Sequence, residues 1–311
     1  MKHLIPWIAL WGCTGSGLDR YGSIEGGDQQ TALSNEDQTG DDDDDTDTDE
    51  EDTDIEPTGL TGGYLWLQHF WTACPDCFFL SESYDIHASA ILHDPTSGSW
   101  FDWLPPLGSC VADPNITNLS DQYINVGNTV YLASGATSLS LASRSTANGI
   151  DYRATLGPTD YLEDTWYDFS APNGGSTGPI ELFDALVTPV GFTSIQPNKM
   201  LLDSPSTAFG APISKANASF SWTPAGSGTF LLFVVAYPAD GSQMLGSVAC
   251  YDDDTGEMTI PNSYLSTFPN DSILAVYMER YQFSESVLPH NGSILEGVGE
   301  NGVLVTAKLV P

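Results

Sequence analysis

Basic side chains are scarce in this sequence. Eight Lys and Arg stand against 42 Asp and Glu in 311 residues, which gives a formal net charge of -34 at pH 7. Nucleic-acid binding requires Lys and Arg clustered on one face to displace phosphate counterions, and these bases are scattered along the chain. We therefore exclude nucleic acid as a partner. The same negative charge repels anionic membrane surfaces, so attachment to a membrane would have to be covalent.

Long apolar runs are also lacking. The apolar stretch at residues 4–12 has nine residues, whereas a helix that spans a bilayer needs about 20. Because this stretch follows the short basic start Met1-Lys2-His3, it is typical of a signal peptide that is removed after export. We assign residues 1–12 to that peptide.

The residues Leu10-Trp11-Gly12-Cys13 end the apolar stretch. An aliphatic residue three positions before a cysteine, with a small residue directly before it, resembles the lipobox of bacterial lipoproteins. The resemblance implies cleavage between Gly12 and Cys13 and acylation of Cys13, which makes membrane lipid a partner. One acyl chain binds a membrane only marginally, whereas two or three hold stably. In such lipoproteins an aspartate directly after the cysteine is associated with retention in the inner membrane. Thr14 occupies that position here, which favours the outer membrane.

An acidic segment follows the cysteine. Residues 14–57 contain 17 acids and one base, Arg20, and include the run DDDDDTDTDEEDTD at 41–54. Dense like charge and little apolar surface predict that residues 13–57 form a disordered tether. A neutral coil of this length would span about 33 to 40 Å, and repulsion between the charges extends it. The run lacks the glycine-kinked order of a calcium loop, so we interpret it as a spacer.

From Thr61 onward the sequence consists of short runs rich in β-branched and aromatic residues, separated by turn residues. The runs are YLWLQHFW (64–71), SYDIHASAILH (83–93), NTVYLAS (128–134), TFLLFVVAY (229–237), SILAVYMERYQF (272–283) and GVLVTAKLV (302–310). They predict an all-β protein of the β-sandwich (immunoglobulin-like) type. A body of about 250 residues favours two such domains, 58–170 and 171–311, over one. A single helical turn fits between the prolines of IPNSYLSTFP (260–269).

The run at 83–93 alternates between apolar and polar residues. Ile86, Ala88 and Leu92 fall on a core face, and His87 and His93 on a solvated face with other polar residues. Six residues along a strand span about 20 Å, so the two histidines cannot bind one metal ion together. We expect both to be exposed.

Three further segments carry a second resemblance. FSWTPAGSG, VACYDDDTGEMTIP and YLSTFP are similar to the Trp-Pro opening, the Cys-then-D-x-G hairpin and the proline-bounded turn of uncharacterised β-rich putative lipoproteins of Gram-negative bacteria. The resemblance spans most of residues 58–311. That family has no assigned activity, so it implies a fold and a location but no catalytic residue.

Four cysteines remain once Cys13 is set aside. An even number in an exported protein indicates disulfides, and three connectivities are possible. We predict pairs between Cys74 and Cys77 and between Cys110 and Cys250. The CPDC segment at 74–77 also fits a redox pair, but that chemistry places C-x-x-C at the start of a helix, and here it lies between two strand-like runs.

Two motifs that suggest ligand binding have simpler interpretations. GVGENG (297–302) matches G-x-G-x-x-G, yet only nine residues follow it, so we predict a glycine-rich turn. DDDTGE (252–257) suggests a hairpin turn, and it leaves Asp252 and Asp254 as weak candidates for calcium. No other cofactor is predicted, and no metal site beyond these two residues.

Catalytic motifs are missing as well. The sequence contains no G-x-S-x-G, S-x-x-K or H-E-x-x-H, and it singles out no catalytic residue. Six tryptophans offer a platform for stacking sugars, although tryptophans in strands usually belong to the core. They are Trp66, Trp71, Trp100, Trp103, Trp166 and Trp222.

These observations predict a lipid-anchored outer-membrane protein on the periplasmic face or the cell surface, with a binding or structural role and an envelope protein or glycan as partner. We expect no enzyme, but two alternatives stay open. The first is an exported hydrolase that acts on polysaccharide or peptide. The second is a carbohydrate- or calcium-dependent adhesion module.

Overall fold

The computed structural model describes residues 57–72, 83–97, 103–114, 122–196 and 212–311. These residues form sixteen strands and one helical turn, α1 (Asn262–Leu265), so the all-β prediction is confirmed. The strands are β1 (Thr61–Thr72), β2 (Ser83–Thr96), β3 (Ser109–Ala112), β4 (Thr129–Ser134), β5 (Thr137–Thr146), β6 (Gly149–Thr155), β7 (Thr165–Ala171), β8 (Ile180–Thr188), β9 (Ile195–Gln196), β10 (Pro212–Ser214), β11 (Ala218–Trp222), β12 (Thr229–Tyr237), β13 (Gly246–Asp253), β14 (Glu257–Ile260), β15 (Ile273–Val287) and β16 (Ile294–Val310).

Most of the described strands belong to one sheet of thirteen. Its order is β3-β13-β12-β15-β16-β1-β2-β6-β5-β4-β7-β8, and β10 pairs with the end of β16. The pair of β1 and β16 is parallel, whereas the pairs of β15 with β16 and of β1 with β2 are antiparallel. A second sheet has the order β14-β11-β9.

Two apolar cores give the molecule a sandwich-like architecture, and a third on the other face of β12, β13 and β15 includes Trp103, Phe233 and Tyr277. The first lies between the small sheet and β12, β13, β15 and β16, and includes Phe220, Leu232 and Val276. The second lies inside the part of the large sheet formed by β1, β2 and β4 to β8. Strands from both sides of the domain boundary expected at residue 170 share the large sheet. The boundary itself stays a prediction.

The alternation expected along β2 is present. Ile86, Ala88 and Leu92 are at most 2% exposed and pack in the second core. His93 differs from the expectation, because it is 2% exposed and its Nδ1 lies 2.8 Å from the backbone oxygen of Asp94. An isolated bridge between His93 and Tyr123 brings a later segment of chain over this histidine, which the alternation alone did not indicate.

The glycine-rich turn predicted at GVGENG is wrong, because these residues lie inside β16. The last strand in the sheet order, β8, passes directly over them. A Cβ on Gly297 would overlap the backbone oxygen of Ala185, and one on Gly299 would overlap that of Val187. The hydroxyl of Ser284 donates to the same Ala185 oxygen at 2.9 Å. Glycine is therefore required here for close approach of two backbones.

The hairpin predicted at DDDTGE is also wrong. The strands on either side of it, β13 and β14, belong to different sheets, so the segment crosses from the large sheet to the small one. Gly256 has φ +90°, a value that favours glycine at the crossing. The predicted helical turn is confirmed as α1, which follows Pro261. Among the described residues, no helix has the length and apolar character that crossing a membrane requires.

Candidate functional site

The predicted cysteine sites are only partly visible in the structure. Cys13 and Gly12, together with Cys74 and Cys77, lie outside the described residues. Cys110 of β3 and Cys250 of β13 are directly opposite one another and form a disulfide, with Cα atoms 4.0 Å apart. That pairing is confirmed.

The two candidate calcium ligands both have partners within the protein. One Asp254 oxygen accepts the indole N–H of Trp222 at 2.5 Å, and the other accepts the backbone N–H of Ala225 at 2.9 Å and Nε of Arg280 at 2.6 Å. Asp252 accepts the backbone N–H of Asp253 at 2.8 Å. Within the described ranges, no group of three His, Cys, Asp or Glu residues is placed to hold a metal ion. Calcium at these positions gains no structural support.

Arg280 is the largest fully buried side chain among the described residues, and each of its nitrogens has a partner. Beyond Asp254, Nη1 donates to the backbone oxygens of Val190 at 2.7 Å and Gly191 at 3.1 Å, and Nη2 donates to that of Thr223 at 2.5 Å. Burial lowers the pKa of Arg280, and the Asp254 carboxylate opposes that shift. The arrangement joins β15 to the segment after β8 and to the end of β11, so it serves structure.

A pair of buried glutamates lies on the other face of the large sheet. Glu279 of β15 is 3% exposed and Glu300 of β16 is 1% exposed. In the register, Glu300 is opposite Tyr281 and Glu279 is opposite Gly302, so the two glutamates are diagonal neighbours. Such neighbours lie about 7–8 Å apart, within reach of long side chains. We call Glu279 and Glu300 the carboxyl pair.

Neutral donors surround the carboxyl pair. Glu300 accepts the indole N–H of Trp66 at 2.9 Å and the side-chain amide of Gln68 at 2.7 Å, and Glu279 accepts the hydroxyl of Tyr281 at 2.5 Å. Within the described ranges, no Lys, Arg or His side chain forms an ion pair with either carboxyl group. Negative charge here is therefore stabilised by hydrogen bonds alone.

Burial makes the carboxyl pair hold protons more tightly than ordinary glutamates. It raises the pKa of Glu279 to about 7, against the opposing effect of the Tyr281 hydrogen bond. Burial also raises the pKa of Glu300 well above its usual value, and the neighbouring Glu279 carboxyl raises it further. A protonated carboxyl can act as a general acid, but these two groups are too deeply buried to contact a polymeric substrate.

The sequence did contain a signal for both buried clusters. Glu279 and Arg280 interrupt the apolar run SILAVYMERYQF, and charged residues within a buried strand need partners in the fold. The partners themselves could not be found from the sequence, because Glu300, Asp254 and Trp222 lie 21 to 58 residues away along the chain. Burial of Asp254 was missed because DDDTGE has the composition of an exposed turn.

The six candidate tryptophans have different environments. Trp222 and Trp103 are buried in cores, and Trp66 and Trp71 pack partly against them. Trp100 lies outside the described residues. Trp166 is 49% exposed, so it is the described tryptophan most accessible to a ligand.

The sequence matches no protein-family model and no curated protein.

Proposed function

We propose that this chain is a lipid-anchored protein of a bacterial outer membrane, on its periplasmic face or at the cell surface. Acylated Cys13 is the anchor, residues 14–57 are the spacer, and the β body has a binding or structural role. The order of these three parts along the sequence supports the proposal, because each has the composition that its task requires.

The structural observation that carries the export part of the proposal is the disulfide between Cys110 and Cys250. Disulfides persist in oxidising compartments such as the periplasm and the cell surface, and cytosolic reductants remove them. The bond closes a separation of 140 residues, so it links distant parts of the body.

The junction between spacer and body also fits an anchored protein. The backbone N–H of Thr58 donates to the backbone oxygen of Gly292 at 2.8 Å, and the Thr58 hydroxyl donates to the same oxygen at 3.2 Å. Three residues later the chain enters β1, an interior strand of the large sheet. The proposed spacer therefore ends where Thr58 is hydrogen-bonded to the body.

A binding role is favoured over hydrolysis by the burial of the acidic groups. The carboxyl pair has the raised pKa values of catalytic acids, but Trp66, Gln68 and Tyr281 occupy its hydrogen-bonding positions. A polysaccharide or peptide would have to displace these side chains before it reached either glutamate.

Metabolic labelling with a palmitate analogue tests the anchor. Wild-type protein is expected to carry the label and to fractionate with the outer membrane, and Cys13→Ser is expected to lose both properties. Thr14→Ser is the matched control, since it changes the next residue without removing the thiol. Label retained by Cys13→Ser, or absent from the wild type, would contradict the proposal.

A further inference from the structure

Two aromatic side chains project from the part of the large sheet farthest from β3. Phe183 of β8 is 73% exposed and Trp166 of β7 is 49% exposed. These two rings lie on adjacent strands, and exposed apolar side chains that lie together mark an interaction surface more often than ones scattered singly. Among the other described apolar side chains, the most exposed are Leu107 and Met244, which lie in separate loops.

The register places the two rings on one face. Tyr167 and Phe169 of β7 are fully buried in the second core, so the alternate residues Trp166 and Asp168 face outward. Trp166 is opposite Val187 and Phe169 is opposite Leu182, with a bulge between these pairs. Phe183 therefore lies beside Asp168, one step along the face from Trp166.

The bulge has a defined conformation. Asp184 adopts φ 50°, and its backbone N–H donates to the Asp168 carboxylate at 2.9 Å. This bond holds the backbone on the C-terminal side of Phe183, so the fold sets where this side chain leaves the strand. A preformed surface of this kind loses less conformational entropy on binding than a flexible loop does.

The charge on this face has one sign. Glu181, Asp168 and Asp184 are solvent-accessible, and β4, β7 and β8 contain no Lys, Arg or His. On the neighbouring strand β4, half-buried Tyr131 is opposite Ser170 and extends the surface. We call these outward residues the β4–β7–β8 face: Tyr131, Trp166, Asp168, Ser170, Glu181 and Phe183. Anionic polymers are repelled by it.

Pairing of a peptide strand with the edge of β8 is disfavoured. That strand lies against β15 and β16, where the Ala185 oxygen accepts the Ser284 hydroxyl and the Val187 oxygen lies against Gly299. The positive φ of Asp184 also interrupts the edge. A partner would therefore contact the side chains of the face and not its backbone.

We propose that the β4–β7–β8 face binds a neutral polysaccharide. A sugar ring presents an apolar C–H surface that stacks on an aromatic ring, and its hydroxyl groups donate hydrogen bonds. The face supplies both complements, because Trp166 and Phe183 offer ring surfaces and ionised carboxylates are acceptors only. This inference rests on the binding role proposed above and names its ligand.

Affinity gel electrophoresis of the full chain in detergent tests the inference. The probes are three neutral polysaccharides, a β-glucan, a mannan and a galactan, with oligolysine and polygalacturonate as charged comparisons. At least one neutral probe is expected to retard the wild type. Trp166→Ala with Phe183→Ala is expected to weaken that binding about tenfold or more, while Trp166→Tyr keeps most of it because it keeps a ring.

Leu107→Ala with Met244→Ala is the matched control, since it removes exposed apolar side chains elsewhere and is expected to leave binding unchanged. Both exposed pairs are expected to keep the wild-type unfolding midpoint, which separates loss of binding from loss of fold. No retardation by any neutral probe, or equal retardation of the Trp166/Phe183 variant, would overturn the inference. Retardation by oligolysine alone would also overturn it. The anchor is tested separately, because binding without palmitate label would reject the anchor and keep the face.

Discussion

Glu279 and Arg280 are consecutive residues of β15, and their buried side chains lie on opposite faces of the large sheet. Arg280 meets Asp254 with Nε and Oδ2 2.6 Å apart, whereas Glu279 shares its face with Glu300 and forms no ion pair among the described residues. One strand therefore carries a compensated charge on one side and, on the other, a carboxyl group whose pKa is raised by burial. The two sides predict different responses to mutation and to pH.

Removal of the Arg280 side chain is expected to destabilise the fold strongly. Arg280→Met leaves the buried Asp254 carboxylate without its cation and three backbone oxygens without a donor. We expect the free energy of unfolding to fall by about 3–5 kcal/mol in urea titrations. Lys308→Met is the control, because its ion pair with Asp271 is exposed and contributes about 1 kcal/mol or less. Equal effects of the two substitutions would contradict the structural role of Arg280.

The carboxyl pair is expected to make the protein less stable as pH rises. Since the folded pKa of Glu279 is raised to about 7, the folded protein keeps a proton that the unfolded chain loses near pH 4.5. The free energy of unfolding contributed by this group therefore falls between about pH 4.5 and 7, by at most about 1.4 kcal/mol per pH unit. Glu300 acts in the same direction.

Urea titrations at pH 5, 6, 7 and 8 measure this slope. Glu279→Gln keeps the size of the side chain without a titrating group, so its stability is expected to fall less with pH than that of the wild type. Glu257→Gln, at an exposed position of β14, serves as the control and is expected to keep the wild-type slope. Parallel curves for wild type and Glu279→Gln would show that Glu279 does not carry the proton.

A methyl group at Gly299 is expected to disturb the crossing of β8 over β16. Its Cβ would overlap the Val187 oxygen and the Thr188 backbone, which cannot move away without shifting the whole strand. Gly299→Ala should lower the free energy of unfolding by about 1–3 kcal/mol or more. Gly157→Ala is the comparison, because its nearest atom is a side-chain oxygen of Asp160 at 3.3 Å. Thermal unfolding of both variants measures the difference, and an unperturbed Gly299→Ala would argue against the close crossing.

Loss of the Cys110–Cys250 disulfide is expected to reduce stability by about 2–5 kcal/mol, because the bond closes a long loop. Cys110→Ser with Cys250→Ser should unfold at a lower urea concentration than the oxidised wild type. A reductant is then the second measurement. If the reductant lowers the stability of the double variant further, that result would support the predicted Cys74–Cys77 bond. If the double variant is as stable as the oxidised wild type, that result would contradict the first expectation.

Local patterns predicted much of the fold. The run TFLLFVVAY coincides with β12, and the proline-bounded segment contains α1. The errors occurred where a local pattern has two physical causes. Glycines at 297 and 299 permit either a turn or close approach of another backbone, and only the position of β8 decides between them. Likewise, an Asp-Thr-Gly segment joins two paired strands or two sheets, and non-local pairing makes that choice.

The exposed face of β7 and β8 illustrates the same limit for the proposed binding surface. Trp166 was one of six tryptophans that the sequence could not distinguish, because exposure depends on which strands lie above each side chain. The carboxyl pair depends on the register between β15 and β16, which brings residues 279 and 300 onto diagonal positions. Which residues come together in either arrangement has no local sequence signature.

The parallel pair of β1 and β16 sets the order in which the body can fold. These are the first and last strands of the described body, yet they are adjacent in the interior of the large sheet. During synthesis β1 is made first, and more than two hundred further residues follow before its ladder with residues 294–304 can form. Contacts between such distant segments form slowly. β16 therefore completes the large sheet, and a chain that ends before Ile294 would leave β1 and β15 without the strand that pairs with both.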